Sequence, residues 1–359
     1  MTPTDCQTRT ASQRRCGRPN VFLLARCALL LAVALICGGC GGRTDPLVVY
    51  SALDRDFSET VLEDFAGATG IKPVVKYDIE STKTVGLTQA LIAEAIRPRC
   101  DVFWNNEILN TLRLERRGLL AVYRSPQAEA FPEMVRSPEG TWCGFAARAR
   151  VLVVNTKLVS ETERPTSIYD LTHEKWKGRI GMAKPLFGTT ASHAACLFAA
   201  LGEEEARKFF RDLKANNIQI LSGNKQVAQA VAAGQIAFGL TDTDDAIIEV
   251  DGAQPVTIVY PDREEDELGT LFIPNTVCIL KNCPHPEAAR KLVDYLLTPG
   301  VEAKLSQSRS AQIPLNPEVE AQPRVETPKT VKAMRVDFAA AAEQWEQVAE
   351  FLRKEFLAE

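Results

Sequence analysis

LVVYSALDRDFSETVLEDFAGATGIKPVVKY, residues 47–77, is the stretch on which the fold is decided. Leu47 to Tyr50 reads as a short apolar strand. Ser51 to Asp56 is polar, and then Phe57, Val61, Leu62 and Phe65 recur at helical spacing until Gly67 and Gly70 stop the helix. Ile71 to Tyr77 reads as a second strand, followed by a helix around 84–96 and the strand Asp101 to Trp104. Such alternation predicts a parallel sheet covered on both faces. In sheets of this kind ligands collect past the carboxyl ends of the strands. Ser51 to Asp54 and Asn105 to Glu107 occupy that position, making Ser51, Asp54 and Glu107 candidates.

Towards the C-terminus, Phe145 to Val154 is a β-rich run long enough to cross between two lobes. A second α/β unit follows: strand 179–183, loop 184–190, helix 192–201, helix 203–215, strand 218–221, helix 225–233 and strand 236–240. Strand 255–260 comes next, and the acidic segment 262–267 reads as a solvated loop. Strand 271–280 returns to the first lobe, helix 286–297 follows, and a Pro-rich stretch leads to a terminal helix over 331–356. The expectation is an α/β protein of two lobes joined by hinge crossovers. Lobe 1 takes 47–145 plus 270–312, and lobe 2 takes 146–269 plus 313–359.

The N-terminus has a different character. Arg9, Arg14, Arg15, Arg18 and Arg26 precede the apolar run 28–36, too short for a permanent span but suited to a secretory signal. Gly38-Gly39-Cys40 places small residues before a cysteine, as lipoprotein signal peptidase requires. Residues 1–39 therefore read as a lipoprotein signal peptide, Cys40 as the lipidation site and 40–46 as an anchor linker. Removing 1–39 takes five Arg and Asp5 from 42 basic and 46 acidic residues, leaving 37 against 45 and a net charge of −8. That balance argues against nucleic acid as a partner. Besides Cys40, the exported chain has Cys100, Cys143, Cys196, Cys278 and Cys283 in no zinc pattern, with Cys100–Cys143 as the first candidate disulfide.

Two constellations could carry chemistry. Gly188-Thr189-Thr190 and Ser222-Gly223-Asn224 each sit between a strand and a helix start, where free N–H groups and hydroxyls suit an anion; a plain capping turn is the competing reading. Arg148 and Arg150 lie in the crossover run on one face, so one can reach the cleft while the other meets solvent or a structural carboxylate. GLTDTDDA, 239–246, crowds Asp242, Asp244 and Asp245 past a strand end, where carboxylates repel unless a cation or a helix start intervenes. Capping is an equal reading for each. Asp54 and Glu107 could join Asp244 across the cleft as a hard, oxygen-rich metal site. His173, His193 and His285 fit no nucleophile or zinc pattern, and no GxSxG or phosphate loop is present, so an enzyme is not expected. His193, Trp104 and Trp142 read first as packing residues.

VVYSALD (48–54), DVFWNNE (101–107), GFAARARVLVVN (144–155), WKGRIGMAKPLFGTT (176–190), SGN (222–224), GLTDTDDA (239–246) and IPNTVCILKNCPHPEAARKLVDYLL (273–297), in this order, resemble the iron(III) importer substrate-binding proteins. These are class II periplasmic binding proteins of ABC transporters, and the likeness covers nearly the whole exported chain. It implies delivery of a small polar ligand to an inner-membrane ABC permease by a periplasmic, lipid-anchored monomer without a cofactor. It also implies an anion pocket from Gly188, Thr189 and Asn224, with Arg148 as an anion contact. Ferric members hold iron with adjacent tyrosines on the loop matching GLTDTDDA; here Thr243 and Asp244 stand there, with no tyrosine nearby. Asp54 stands where many members have histidine. Two ligands stay open: iron(III) or an anion-accompanied metal, and a zwitterion such as 2-aminoethylphosphonate. An enzyme or sensor on the same fold comes third. Every reading requires the turns at 51–54, 105–107, 188–190, 222–224 and 241–245 to share one crevice.

Overall fold

The computed structural model describes residues 46–79 and 83–358, so Cys40 and the leader lie outside the described residues. The chain begins with β1 (Val48–Ser51), α1 (Arg55–Thr69) and β2 (Val74–Tyr77). Helix α1 buries Phe57, Val61, Leu62 and Phe65, the apolar stripe seen in the sequence, and stops at Gly70. With φ 72, Gly70 adopts the left-handed turn that a residue without Cβ takes at no steric cost, and its N–H closes on Ala66 O. Helix α2 (Val85–Ala93), β3 (Val102–Asn105) and α3 (Leu109–Arg116) complete this unit.

Strand β4 (Trp142–Asn155) is fourteen residues long and buried throughout. After it come β5 (Ile180–Ala183), α4 (Gly188–Leu201), α5 (Glu203–Ala215), β6 (Gln219–Leu221), α6 (Asn224–Ala232), β7 (Phe238–Asp242), α7 (Thr243–Asp251) and β8 (Val256–Val259). Strand β9 (Phe272–Ile279), α8 (Pro286–Leu296), α9 (Pro299–Gln307) and α10 (Phe338–Phe351) close the chain. The sheet order is β2-β1-β3-β9-β4-β7-β5-β6, with β8 also on β4. The outer pairs β1–β2, β1–β3, β5–β6 and β5–β7 are parallel as expected. Strands β4 and β9 are antiparallel to their neighbours, so the sheet is mixed rather than parallel. The reason is topological: chain crossing from one lobe to the other and back runs in opposite directions.

Strand β4 is the shared element. Trp142 to Ala149 pairs with β9, whereas Arg150 to Val154 pairs with β7. The register slips between Phe145 and Arg148, where Ala146 takes φ 46. A second crossing runs beside it, Ile313 bridging to Ala147. The terminal helix is shorter than expected. Asp337 caps it by accepting from Ala339 and Ala340 N–H, while 331–337 is irregular chain in which Ala333 bridges to Thr270. Arg113 of α3 lies 4.9 Å over the Trp345 ring, and Phe351 packs on Phe198 of α4, so α10 touches both halves of the sheet.

Two further expectations change, and the tryptophan reading does not. Cys100 and Cys143 are free, as are Cys196, Cys278 and Cys283. Cys100 lies in the core with Leu87 and Phe103, and Cys143 in the core with Val61 and Phe145 on the other side of the sheet, so no disulfide joins them. In the acidic loop, Asp262 is buried and accepts from Ser167 Oγ and Ile168 N–H. Trp104 is fully buried against Phe145, and Trp142 donates its ring N–H to Glu115.

Gly239 tests the packing of the second half. A Cβ there would meet Val227 Cγ1 at 2.5 Å and Gly181 O at 2.9 Å. Overpacking of this kind costs roughly 1–3 kcal/mol. Gly239→Ala should lower the unfolding free energy by that amount, read as a lower urea midpoint at an unchanged m-value; an unaltered midpoint would mean β5, β7 and α6 are looser than described.

Candidate functional site

Arg150 is the residue around which the site is built. It is fully buried, and its guanidinium meets Asp242 Oδ1 at 2.6 Å, Asn224 Oδ1 at 3.1 Å and the Thr189 and Thr190 hydroxyls at 3.3 Å. The other Asp242 oxygen accepts from Thr189 Oγ1 at 2.5 Å and Asn224 Nδ2 at 2.8 Å. Thr189 and Thr190 belong to the first turn of α4, Asn224 opens α6, and Asp242 ends β7. These groups form a closed ion-pair network at the carboxyl ends of the strands. His193 completes it, accepting from Arg150 Nε at 3.4 Å. Burial, with Arg150 adding to it, pushes the imidazole well below its usual range, so His193 stays neutral. The sequence read His193 first as a packing residue; the structure has it buried as a hydrogen-bond acceptor for Arg150.

Above this network lies a crevice lined by Lys83, Asn106, Arg148, Lys184, Phe187, Gly188, Thr189, Thr190, Ser222, Asn224, Asp242, Asp244 and Asp245, among others. Its free volume is about 20 Å³, space for a water molecule or a bare ion. The two sides touch across it: Gly188 N–H donates to Lys83 O at 3.0 Å, and Ser192 Oγ to Glu107 Oε2 at 2.7 Å. A larger hollow of about 120 Å³ beside Tyr123 and Trp142 contains none of the candidate residues.

Within the crevice, Asp242, Asp244 and Asp245 each bring a carboxylate oxygen within 4.8 Å of the others. Asp244 meets Arg148 at 3.2 Å, yet its buried Oδ1 has no partner, nor has Asn106 Oδ1. Burial pushes the Asp244 carboxyl up to about 6, with Asp242 adding to it and Arg148 opposing. Burial and then Asp244 push Asp245 well above the usual carboxylate range. Asp54 goes the other way. Burial alone would raise it, but Lys83, 2.5 Å away, followed by Arg148 and Lys225, holds it below its ordinary value.

The structure therefore gathers Arg148, Gly188, Thr189, Thr190, Ser222, Asn224, Asp242 and Asp244 in one crevice. Ser51, Asp54 and Glu107 stand outside the lining. Ser51 Oγ donates to Leu53 O, and Asp54 reaches the crevice only through Lys83. Glu107 is buried beneath the crevice, where its carboxylate accepts from Leu109 and Asn110 N–H and closes the first turn of α3. The trio Asp54, Glu107 and Asp244 is thus not brought together; the carboxylate cluster is Asp242, Asp244 and Asp245. The sequence reading singled out neither Asn106 nor Lys83, and it named Asp245 in the acidic run without assigning it to the site. Strand alternation carried the signal for Asn106: Asn105 and Glu107 face the core, so the residue between them faces the cleft. Of the two arginines, Arg148 enters the crevice and Arg150 meets a structural carboxylate; neither meets solvent. None of the six tyrosines lines the crevice.

Two lobes closing a polar crevice at strand ends define a ligand-binding protein. The profile of the bacterial extracellular solute-binding proteins matches residues 108–342, and the chain belongs to that family. It is 27% identical over 293 residues to iron uptake protein A1 of a Synechocystis strain, covering 77% of this chain and 79% of that one. It is 24% identical over 258 residues to a putative 2-aminoethylphosphonate-binding periplasmic protein of Salmonella typhimurium, covering 71% and 73%. Among solved structures, iron-bound HitA from Pseudomonas aeruginosa superposes with a TM-score of 0.77 at 24% identity, covering 85% of this chain and 98% of that one. Among the described residues, no helix is long and apolar enough to cross a membrane.

The network predicts different outcomes for the two arginines. Arg150→Ala leaves Asp242 buried and uncompensated and should cost about 3–5 kcal/mol in urea unfolding. Arg148→Ala should weaken ligand binding while the protein stays folded. If the two substitutions were equally destabilising, the division between structural and ligand-facing arginine would be wrong.

Proposed function

We propose that the protein is an extracytoplasmic, lipid-anchored solute-binding component of an ABC importer that closes its crevice on iron(III) or an anion-accompanied metal. The observation that carries this reading is the Asp242, Asp244 and Asp245 cluster with an unpartnered Asp244 oxygen. Buried carboxylates this close repel one another unless a cation lies between them, and hard oxygen donors suit a hard cation. Asp242 is already satisfied by Arg150, Thr189 and Asn224, so Asp244, Asp245 and Asn106 are the open acceptors. The iron named in relatives supports the same ligand class. Lobe 1 comprises 47–145 plus 270–312 and lobe 2 comprises 146–269 plus 313–359; the ligand selects the closed state because only then does it touch both.

A second reading has its own support. The amino-terminal turn of α4 at Gly188 and the Ser222-Gly223 turn face the same crevice as the open carboxylates. A zwitterion such as 2-aminoethylphosphonate would place its phosphonate on the remaining N–H groups of those turns, Gly188 N–H being taken by Lys83 O, and its ammonium on Asp244 and Asp245. Thermal unfolding of the metal-stripped protein with iron(III) citrate, and separately with 2-aminoethylphosphonate, decides between them. A ligand at a hundred times its Kd stabilises by about 2.7 kcal/mol, a rise of roughly 5 °C. Asp244→Ala should abolish the rise; a rise unchanged by that substitution would put the ligand elsewhere.

Acidity supplies a further check. Either ligand needs ionised Asp244, so affinity should fall up to tenfold per unit as pH drops below about 6. The ligand-free protein should respond in the opposite sense. Its Asp244 carboxyl lies above the unfolded value, so that contribution to stability is complete below pH 4 and is lost as pH rises through 6. Titration calorimetry from pH 5 to 8 should show the affinity step in the parent and not in Asp244→Asn.

A further inference from the structure

The crevice and the crossings between the lobes share one side chain. Asn275 on β9 is fully buried, and its amide touches three segments. Its Oδ1 accepts from Arg148 at 2.8 Å, the arginine that holds Asp244 in the crevice. Its Nδ2 donates to Ala146 O on β4 and, at 2.8 Å, to Gln312 Oε1 on the second crossing. Ala146 is where the β4 register slips and φ turns positive, and Ala311, beside Gln312, also has positive φ at 44. Residues other than glycine adopt this conformation only when their surroundings impose it.

A second buried group imposes it from the opposite side. Glu302 of α9 accepts from Ala146 N–H at 2.6 Å, Leu315 N–H at 3.0 Å and Asn316 N–H at 2.7 Å. One carboxylate thus fixes both crossing strands, while the Asn275 amide fixes those same strands to Arg148. Ala146 is gripped by both: its N–H by Glu302 and its carbonyl by Asn275. No atom of either side chain faces the crevice, so neither is a ligand contact.

We propose that Asn275 is a positioning residue through which occupancy at Asp244 and Arg148 sets the hinge angle, with Glu302 as the fixed point against which that hinge turns. The proposal rests on the crevice being the ligand site. A ligand that engages Asp244 alters the hold on Arg148, and the side-chain amide that accepts from Arg148 also grips the Ala146 turn. A buried amide with such discrete partners has few alternative arrangements, which is the property that transmits a local change to a hinge.

Small-angle scattering on the ligand-free protein tests this without a ligand. Asp244→Asn weakens the crevice end of the chain of contacts and should shift the parent's radius of gyration; in the Asn275→Ala background the same substitution should shift nothing further. Glu302→Gln, isosteric but presenting an N–H to one of the three donors, should widen the lobe distribution while the protein stays folded. Iron(III) citrate affinity should fall at least tenfold in Asn275→Ala. An equal Asp244→Asn shift in both backgrounds would overturn the proposal. So would variants that scatter and bind as the parent does and lose only thermal stability. Failure of the parent to bind iron(III) citrate would sink the ligand reading alone, since the scattering cycle contains no ligand.

Discussion

A guanidinium buried out of reach of water is the constraint on which this site depends. Arg150 lies on β4 with no exposed surface, and an unpaired charge there would cost several kcal/mol after relaxation. The chain answers with one carboxylate, two hydroxyls and an amide, drawn from the end of β7 and the first turns of α4 and α6. Satisfying the charge therefore brings three strand-to-helix turns to one point. The crevice is what remains above them.

That arrangement divides four acidic residues into different chemical kinds. Asp242 is the network's own anion, fully hydrogen-bonded and committed. Asp54 is held ionised by Lys83 at the rim. Asp244 and Asp245 are crowded, desolvated and raised, with one Asp244 oxygen still open. The hydroxyls and amide that resemble an anion cradle are thus partly used by a protein carboxylate. The acceptor side of the crevice is the side left unsatisfied, which favours a cation or an ammonium in the ligand.

The same logic explains how β4 can be continuous and still bend. Its fourteen residues are buried throughout, so every backbone group must be paired. At the slip near Ala146 the ladder cannot supply all the partners. Glu302 and Asn275 supply them instead. Buried polar side chains at a crossing are costly in the open core, but here they replace missing backbone partners.

The fold was largely legible in the amino-acid order because period and punctuation are local. The Phe57–Phe65 stripe, the Gly70 stop and the long run ending at Asn155 each describe their own surroundings, and the structure contains each. Local pattern also placed the 188–190, 222–224 and 241–245 turns at strand ends and Arg148 in the crossover run, and residues from each line the crevice. Strand direction in the middle of the sheet, the Glu107 capping role, the free cysteines and the choice between Arg148 and Arg150 were decided only by tertiary structure. Each depends on which distant groups are close enough to share a charge or a hydrogen bond, and sequence spacing holds no information about distance across a sheet. Carboxylate identity is visible in one dimension; which carboxylate is already neutralised by a buried arginine is a property of three.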